Sequence, residues 1–309
     1  MRILIELPTW LGDCVMATPA IENIVNFHND VEITFIGSFV SIEAMKNHPK
    51  VVKTVVLDKK YSVLYKTARN LDGFDAFFSF RSSTRSKFLK FLISANKKHQ
   101  FDKNKYVNCH QVKKYNDFVN NSLNIDSNPE RLKLYKQNQS SGVVQKPVLG
   151  INPGASYGSA KRWYPEEFAK VAGELSSQYD IVIFGGPGEK DIAMDIEQSL
   201  IEKGIDNYQN LAANTTIPEL INHISRLDLF ITGDSGPMHV AAAFQVPTVA
   251  IFGPTKDDET SQWMNDKSII VKQNLDCQPC MKRTCPLQHH NCMNLIKATD
   301  VLSAVKTFN

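Results

Sequence analysis

A polar turn in the C-terminal half of the chain, Gly233-Asp234-Ser235-Gly236, combines residue types that bind phosphate groups. It follows the apolar run 229–232, typical of a buried strand, and precedes a helix that begins with small residues. Gly233 and Gly236 allow unusual dihedral angles and close approach of a ligand to the backbone, and we expect an anion site made by amides at the helix start, the Ser235 hydroxyl and His239. In the plainer alternative, Asp234 or Ser235 only caps the helix.

A second apolar strand, 248–252, ends in the turn Gly253-Pro254. Two consecutive strand-to-helix turns on one edge of a parallel sheet form the crevice in which α/β proteins bind ligands. The sequence therefore favours a ligand site that includes both turns over helix capping alone.

The loop 153–164 follows a further strand, 148–152, and carries Ser156 together with the adjacent cations Lys161 and Arg162. Small residues and cations in one loop favour a diphosphate ligand. In the alternative, the two cations are ordinary surface charges.

A glycine turn after the strand 180–184 is followed by Glu189. A carboxylate just beyond such a turn is suited to accept hydrogen bonds from ribose hydroxyls. Its alternative role is that of an acid in the first turn of a helix, where it complements the helix dipole.

Asp13 is the candidate catalytic base. It ends the loop 8–13, which follows the apolar strand 2–7 and precedes a helix that begins at Thr18-Pro19. Its apolar neighbours would partly desolvate the carboxylate and raise its pKa toward that of a useful base. The alternative is a structural carboxylate satisfied by backbone amides.

The polar turn 81–86, after the strand 76–80, carries the candidate acceptor-binding residues Arg81, Ser83 and Arg85. Guanidinium and hydroxyl groups suit a sugar acid or a phosphate. The plain interpretation is an exposed loop without a ligand.

Length and patterning predict an α/β protein of two domains, since 309 residues are too many for one ordinary core. Further strand signals at 32–36 and 54–57 alternate with helical segments, which is typical of parallel sheets covered on both faces. The polar stretch 127–146 is the best linker candidate. It places the domains at 1–145 and 146–309.

The composition, 42% hydrophobic and 22% charged, is that of an ordinary soluble protein. No apolar run approaches the roughly 18 residues of a membrane span, and the N-terminus lacks a long signal core. We therefore expect a cytoplasmic protein.

The segment 81–114 contains ten Lys or Arg residues and a single acid, Asp102. It should attract phosphorylated or carboxylated substrates, an anionic membrane surface or nucleic acid, unless it is only a solvated basic face. Nucleic acid ranks last because no nucleic-acid motif is present.

Four cysteines near the C-terminus, Cys277, Cys280, Cys285 and Cys292, lie within sixteen residues. They are compatible with a zinc site, with disulfides formed on oxidation, or with free thiols that pack the tail. Their irregular spacing weakens the case for zinc.

Together, several of these motifs resemble the lipopolysaccharide heptosyltransferases, glycosyltransferase family 9. They are Leu11-Gly12-Asp13, Pro153-Gly154-Ala155 with Ala160-Lys161-Arg162-Trp163, Phe184-Gly185-Gly186, Asp234-Ser235-Gly236 with Met238-His239, and Gly253-Pro254-Thr255. Within that family the chain is most similar to the enzymes that add heptose from ADP-heptose to an inner-core heptose. The cysteine cluster departs from the best-known members.

The resemblance implies a GT-B fold, with two Rossmann-like domains facing each other across a cleft. An N-terminal domain would bind an acidic glycolipid acceptor, and a C-terminal domain would bind ADP-heptose, with the last helix able to pack back on the N-terminal domain. Lys161 and the turn at Asp234 would contact the diphosphate, Glu189 the ribose, and Asp13 would act as the base.

We expect inverting transfer without a metal or cofactor, since one carboxylate faces the acceptor and no carboxylate pair is placed at the diphosphate. The resemblance also implies peripheral contact with the cytoplasmic face of the inner membrane. Three alternatives stay open: the first heptosyltransferase, another family 9 hexosyltransferase, and a nucleotide-sugar-binding module without turnover.

Overall fold

The computed structural model describes residues 1–28, 30–58, 60–136 and 146–308. The chain forms two compact units, Met1–Gln137 and Asn138–Asn309. Parallel strands alternate with helices in both, so the predicted α/β class with parallel sheets is confirmed. No helix in the described ranges is both long and apolar enough to cross a bilayer.

The first unit contains one parallel sheet. Its strands are β1 (Arg2–Glu6), β2 (Glu32–Gly37), β3 (Val51–Val56), β4 (Phe74–Ser79) and β5 (Ala95–Gln100), in the order β3-β2-β1-β4-β5. Its helices are α1 (Leu11–Met16), α2 (Thr18–Phe27), α3 (Phe39–Met45), α4 (Tyr61–Arg69), α5 (Thr84–Leu92) and α6 (Gln111–Leu123). The strand order reverses between β1 and β4, where open α/β sheets bind ligands at the carboxyl ends of their strands.

Helices cover both faces of this sheet because successive strand side chains point to opposite sides. Phe77 packs with Leu64 of α4 and Leu89 of α5. Phe78, the next residue, packs edge-on against Phe118 of α6. Helices α4 and α5 therefore cover one face, and α6 covers the other together with α2, which packs against it.

The second unit contains a six-stranded parallel sheet. Its strands are β6 (Val148–Asn152), β7 (Asp180–Ile183), β8 (Tyr208–Asn210), β9 (Leu229–Gly233), β10 (Thr248–Phe252) and β11 (Ser268–Lys272), in the order β11-β10-β9-β6-β7-β8. Its helices are α7 (Pro165–Leu175), α8 (Lys190–Glu202), α9 (Ile217–Ile224), α10 (Gly236–Ala243), α11 (Asp257–Thr260), α12 (Asn291–Asn294) and α13 (Ala298–Val305).

The last long helix, α13, belongs to the core of the second unit. Its Val301 and Val305 are buried with Phe168 of α7 and Ile251 of β10. Any contact of this helix with the N-terminal domain stays a prediction.

Helix α1 differs from the sequence expectation, which placed Leu11 to Asp13 in a loop. The structure begins a helix at Leu11 because Leu11, Cys14 and Val15 bury one face, while Asp13 in the first turn complements the helix dipole.

Three strands, β5, β8 and β11, are not predicted by the sequence. Each lies at the edge of its sheet, where fewer side chains are buried. An edge strand needs no continuous apolar run, so its sequence carries a weak signal.

Part of the predicted linker packs on the first unit. Leu132 and Leu134 are buried, the Lys133 amide donates to the Thr18 hydroxyl over 3.0 Å, and the Asn116 side chain donates to the Ser127 carbonyl over 2.6 Å. The prediction that residues 127–136 belong to a linker is therefore wrong, because the alternating apolar residues Leu132 and Leu134 pack on the first unit. Residues 137–145, which include the predicted boundary, lie outside the described residues.

Glu22 of α2 holds this extended segment. Its carboxylate accepts hydrogen bonds from Lys133 and Tyr135 over 3.1 and 3.0 Å, and lies 3.2 Å from His48 Nε2. Burial alone would raise the pKa of Glu22, but hydrogen bonds from these three residues outweigh burial and lower the pKa to about 2.

Replacing Glu22 with Gln is therefore expected to lower the free energy of unfolding by about 2 kcal/mol at neutral pH. A folded-state pKa below the unfolded value stabilises the protein above pH 4.5, and this stabilisation is lost as the pH falls toward 2. Denaturant unfolding of both proteins at pH 7, 4 and 3 measures the difference, with Glu32→Gln on the exposed start of β2 as the control. A difference that does not shrink in acid would contradict this account.

Candidate functional site

Four loops of the second unit lie at the carboxyl ends of the adjacent strands β10, β9, β6 and β7. The strand order reverses between β6 and β9, which makes this edge the expected ligand site. Asn152, the last residue of β6, donates to the hydroxyls of Thr232 and Ser235 over 3.3 Å each. The loop after β6 and the turn after β9 are therefore joined by buried hydrogen bonds.

Lys161 and Asp234, which are 73 residues apart, form the ion pair of this edge. Lys161 Nζ lies 2.5 Å from Asp234 Oδ2, and the Thr255 hydroxyl donates to the same oxygen over 2.6 Å. The ammonium also lies 4.8 Å from the centre of the Tyr157 ring. Asp234 is therefore paired with Lys161, and its contact with a donor stays a prediction.

The start of α10 has no side-chain cap in the structure as described. Ser235 occupies the N-cap position, but its hydroxyl lies within hydrogen-bond distance of Asn152 and Thr232, and the Asp234 carboxylate contacts Lys161. Helix capping by Asp234 or Ser235 is therefore wrong. The helix start, including Gly236, keeps the partial positive charge that favours an anion.

Neither Gly233 nor Gly236 has a positive φ, so the helix start does not use the conformational freedom of glycine. The close approach of a ligand to the backbone at these two glycines stays a prediction. His239 is buried one helical turn beyond Ser235. Its contact with a ligand stays a prediction.

Glu189 is brought against the loop that carries Lys161. Its buried carboxylate accepts a hydrogen bond from the Gly186 amide over 2.7 Å. The carboxylate also lies so close to Gly154 that a Cβ there would be 2.0 Å from Glu189 Cδ. Any side chain at position 154 would displace the Glu189 carboxylate from this place, which explains one of the small residues in this loop.

Ser156 is exposed in the same loop, and Arg162 is half-buried after it. Arg162 Nε is buried, and no hydrogen-bond partner for it lies among the described residues. A buried N–H of this kind is suited to donate to a ligand.

The C-terminal tail, to which the sequence assigns no role at the site, packs on the site loops. Gln278 Nε2 donates to the Gly253 carbonyl over 2.7 Å, and the Met281 amide donates to the Pro254 carbonyl over 2.9 Å. The turn Gly253-Pro254 thus supports the tail, and its contact with a donor stays a prediction.

The tail also holds the Lys161 loop. The Ala160 amide donates to the Arg283 carbonyl over 3.0 Å, and His290 Nε2 lies 2.9 Å from the Ala160 carbonyl oxygen. Gly158 is required here, since a Cβ would lie 2.3 Å from the Arg283 carbonyl oxygen. Gly158 is the one sequence signal for this contact between the Lys161 loop and the tail, which lie about 130 residues apart in the chain.

The four tail cysteines are free thiols. Burial, together with the neighbouring charges of Cys285, Cys277 and Cys280, raises the pKa of Cys292 to about 11. Within the described ranges, no group of three or more His, Cys, Asp or Glu side chains is arranged to hold a metal ion. The effect of Cys285, Cys277 and Cys280 on Cys292 places the four thiols in one neighbourhood.

The first unit has its own polar cluster where its strand order reverses. Glu6, the last residue of β1, is fully buried and accepts hydrogen bonds from Ser79 over 2.5 Å and from Ser86 over 2.9 Å. Arg81 Nη1 lies 3.5 Å from its carboxylate. Burial raises the pKa of Glu6, and these partners oppose that rise. Glu6 is not among the predicted site residues, although an acid that ends an apolar strand is itself a signal.

Asp13 lies half-buried in the first turn of α1, beyond the carboxyl end of β1. Burial raises the pKa of Cys14 to about 12, with a smaller rise from the Asp13 charge. Burial also raises the pKa of Tyr115 in α6, which the Asp13 charge raises further and the Arg81 charge lowers. Asp13, Arg81 and Tyr115 therefore share one neighbourhood.

The other two predicted acceptor residues have structural contacts. The Ser83 hydroxyl caps α5 by accepting a hydrogen bond from the Ser86 amide over 3.2 Å. Arg85 donates to the Asp58 carbonyl. Their contact with an acceptor stays a prediction.

Comparison with known proteins shows to which family the chain belongs. The family model for glycosyltransferase family 9 (heptosyltransferase) matches residues 73–291. Lipooligosaccharide heptosyltransferase 2 of Campylobacter jejuni is 44% identical over 99% of this chain and 98% of its own length. Lipopolysaccharide heptosyltransferase 1 of Campylobacter coli is 24% identical over 99% of this chain and 98% of its own length.

The solved structure of the Escherichia coli ADP-heptose lipopolysaccharide heptosyltransferase II superposes with a TM-score of 0.83 at 19% identity, covering 99% of this chain and 98% of that one. This likeness identifies the fold as GT-B. The chain belongs to glycosyltransferase family 9, the heptosyltransferases.

Proposed function

We propose that this enzyme transfers L-glycero-D-manno-heptose from ADP-heptose to an inner-core heptose of lipooligosaccharide, with inversion at the anomeric carbon. The observation that carries the proposal is the full-length similarity to a lipooligosaccharide heptosyltransferase 2. The much lower identity to the type 1 enzyme favours the second transfer over the first.

The predicted C-terminal domain, residues 146–309, is proposed to bind the donor. As the bond from the anomeric carbon to the diphosphate breaks, ADP leaves with the electron pair and gains negative charge. The Lys161 ammonium and the start of α10 at Ser235 and Gly236 stabilise that charge, because both present positive charge at the same sheet edge.

Other donor contacts are proposed around this centre. Glu189 accepts hydrogen bonds from the ribose hydroxyls. Its carboxylate can accept them in addition to the hydrogen bond that the Gly186 amide donates to it. The remaining predicted contacts are those of Ser156, Arg162, Asp234, His239, Gly253 and Pro254. Asp234 acts through Lys161, which it orients.

The predicted N-terminal domain, residues 1–145, is proposed to bind the acceptor. The acceptor hydroxyl oxygen bonds to the anomeric carbon while its proton passes to the Asp13 carboxylate. Arg81, with Ser83 and Arg85, binds acidic groups of the acceptor. The buried Glu6 carboxylate positions Arg81 for this contact.

Transfer is proposed to need neither metal nor cofactor, since Lys161 already supplies a cation at the diphosphate. The adjacent acids Asp257 and Asp258 follow the Gly253-Pro254-Thr255 turn, and Asp257 pairs with Lys272 over 2.7 Å. The enzyme is proposed to act at the cytoplasmic face of the inner membrane in peripheral contact with it.

Transfer of radiolabelled heptose tests this function. Purified enzyme is incubated with labelled ADP-heptose and lipooligosaccharides truncated before the first heptose, after the first heptose or after the second. We expect label only on the acceptor that ends in one heptose. Label on the heptose-free acceptor would favour the first heptosyltransferase, and ADP-heptose binding without any transfer would favour a binding module.

A further inference from the structure

Helices α4 and α5 lie side by side on one face of the first-unit sheet, and their outward sides form a single surface. Leu64 and Ala68 of α4, with Leu89 of α5, face the sheet. The opposite sides carry Tyr61, Tyr65, Phe88 and Phe91 together with Lys66, Arg69, Lys87 and Lys90. We call these eight residues the aromatic–basic surface.

The aromatic side chains of this surface are unusually open to solvent. Phe91 is 80% exposed, Tyr61 53%, Tyr65 46% and Phe88 36%. The Tyr61 and Phe88 rings lie 5.6 Å apart and join the two helices. Contiguous exposed aromatic groups of this kind mark a surface that binds an apolar partner.

The charged side chains of helices α4 and α5 are all positive. Neither Tyr61–Arg69 nor Thr84–Leu92 contains an acid. Helices α2 and α6, on the opposite face of the sheet, contain Glu22 and Asp117. The excess of positive charge on this side of the unit is therefore a property of α4 and α5.

Bulky aromatic groups interspersed with lysine and arginine, without acids, match the interface of an anionic bilayer. Tyrosine and phenylalanine settle at the boundary between headgroups and acyl chains, while long cationic side chains reach the lipid phosphates. A protein partner is a poorer match, since lysine is depleted at protein interfaces.

We propose that the outward face of α4 and α5 is the surface with which this enzyme binds membranes that contain anionic lipid. The N-terminus of α5 also carries the turn with Arg81 and Ser83, so binding here would bring the acceptor-binding turn close to a lipid-linked glycan. That last link rests on the proposed function, whereas the lipid affinity of the surface does not.

Vesicle flotation with the full chain tests the proposal. The wild type should float with vesicles of phosphatidylcholine that contain about 30% phosphatidylglycerol and not with pure phosphatidylcholine. Its binding should fall as salt rises from about 0.1 M to about 1 M, because the screening length falls from roughly 10 to 3 Å.

Two variants locate the surface. Lys87→Gln combined with Lys90→Gln should weaken binding to anionic vesicles by about 20-fold, since each lysine near the lipid contributes roughly a factor of five. Phe91→Ser should weaken it by about 10-fold or more through the loss of the inserted ring.

Matched controls separate this surface from overall charge and hydrophobicity. Lys103→Gln with Lys105→Gln removes two charges from an exposed loop of the same basic segment, and Phe27→Ser removes a 47% exposed ring from α2 on the opposite face. Both controls should bind vesicles like the wild type. Equal losses in controls and test variants would overturn the proposal, as would wild-type binding to neutral vesicles or to single-stranded RNA alone.

A transfer assay distinguishes failure of this proposal from failure of the proposed function. With a delipidated, water-soluble acceptor, the α5 variants should turn over like the wild type. With the same acceptor embedded in anionic vesicles, their rates should fall in parallel with vesicle binding. Unchanged rates in vesicles would overturn the link to the acceptor.

Discussion

Replacing Asp13 with asparagine is expected to lower kcat by about 10²- to 10⁴-fold while the affinity for ADP changes by no more than a few-fold. Asparagine keeps the size of the side chain but cannot accept the proton that the acceptor hydroxyl must lose. Asp13 belongs to the first unit, whereas the proposed donor contacts lie in the second, so ADP affinity should be little affected. Single-turnover transfer and calorimetric ADP titration measure the two effects.

The matched control for this change is Asp117→Asn, which removes a carboxylate from an exposed position of α6 in the same unit. Its turnover should equal that of the wild type. Retained turnover in Asp13→Asn would remove Asp13 from the mechanism, and a large loss of ADP affinity would mean that the residue holds the donor instead.

Replacing Lys161 with alanine is expected to weaken ADP binding by about 10- to 100-fold, since a charge-assisted contact with the diphosphate is lost. Among the described residues, the same change leaves the buried Asp234 carboxylate with Thr255 as its side-chain partner, which should lower stability by about 3 kcal/mol. ADP titration and thermal unfolding therefore report on two separate roles of one ammonium group.

A double variant separates those roles. Lys161→Ala with Asp234→Asn removes the uncompensated charge, so it should recover part of the stability without recovering ADP affinity. Lys203→Ala, at an exposed position just after α8, is the control for removal of a lysine from this unit. An unchanged dissociation constant for ADP in Lys161→Ala would refute its placement at the diphosphate.

The central part of each sheet can be predicted from the sequence because its strands are buried on both faces. The runs that end at Glu6, Asn152 and Phe252 are almost purely apolar, and the structure places strands there. Edge strands could not be predicted in the same way. β5 reads Ala-Asn-Lys-Lys-His-Gln, and only its hydrogen bonds to β4 make it a strand.

The candidate site was predictable to the extent that it depends on short-range pattern. Glycine, serine and charged residues directly after apolar runs mark Lys161, Glu189 and the turn at Asp234. Local sequence could not show that Glu189 lies on Gly154, or that α10 has no side-chain cap. Those facts depend on which partner each polar group finds in space.

Taken alone, the sequence determined the parallel α/β architecture, because hydrophobic periodicity and turn chemistry act over a few neighbouring residues. The tertiary structure decided which distant groups meet: Lys161 with Asp234, the Ala160 loop with the tail at Arg283 and His290, and Glu6 with Arg81. Buried charges and amides must find partners wherever the packed sheets place them, and that placement is a property of the whole fold.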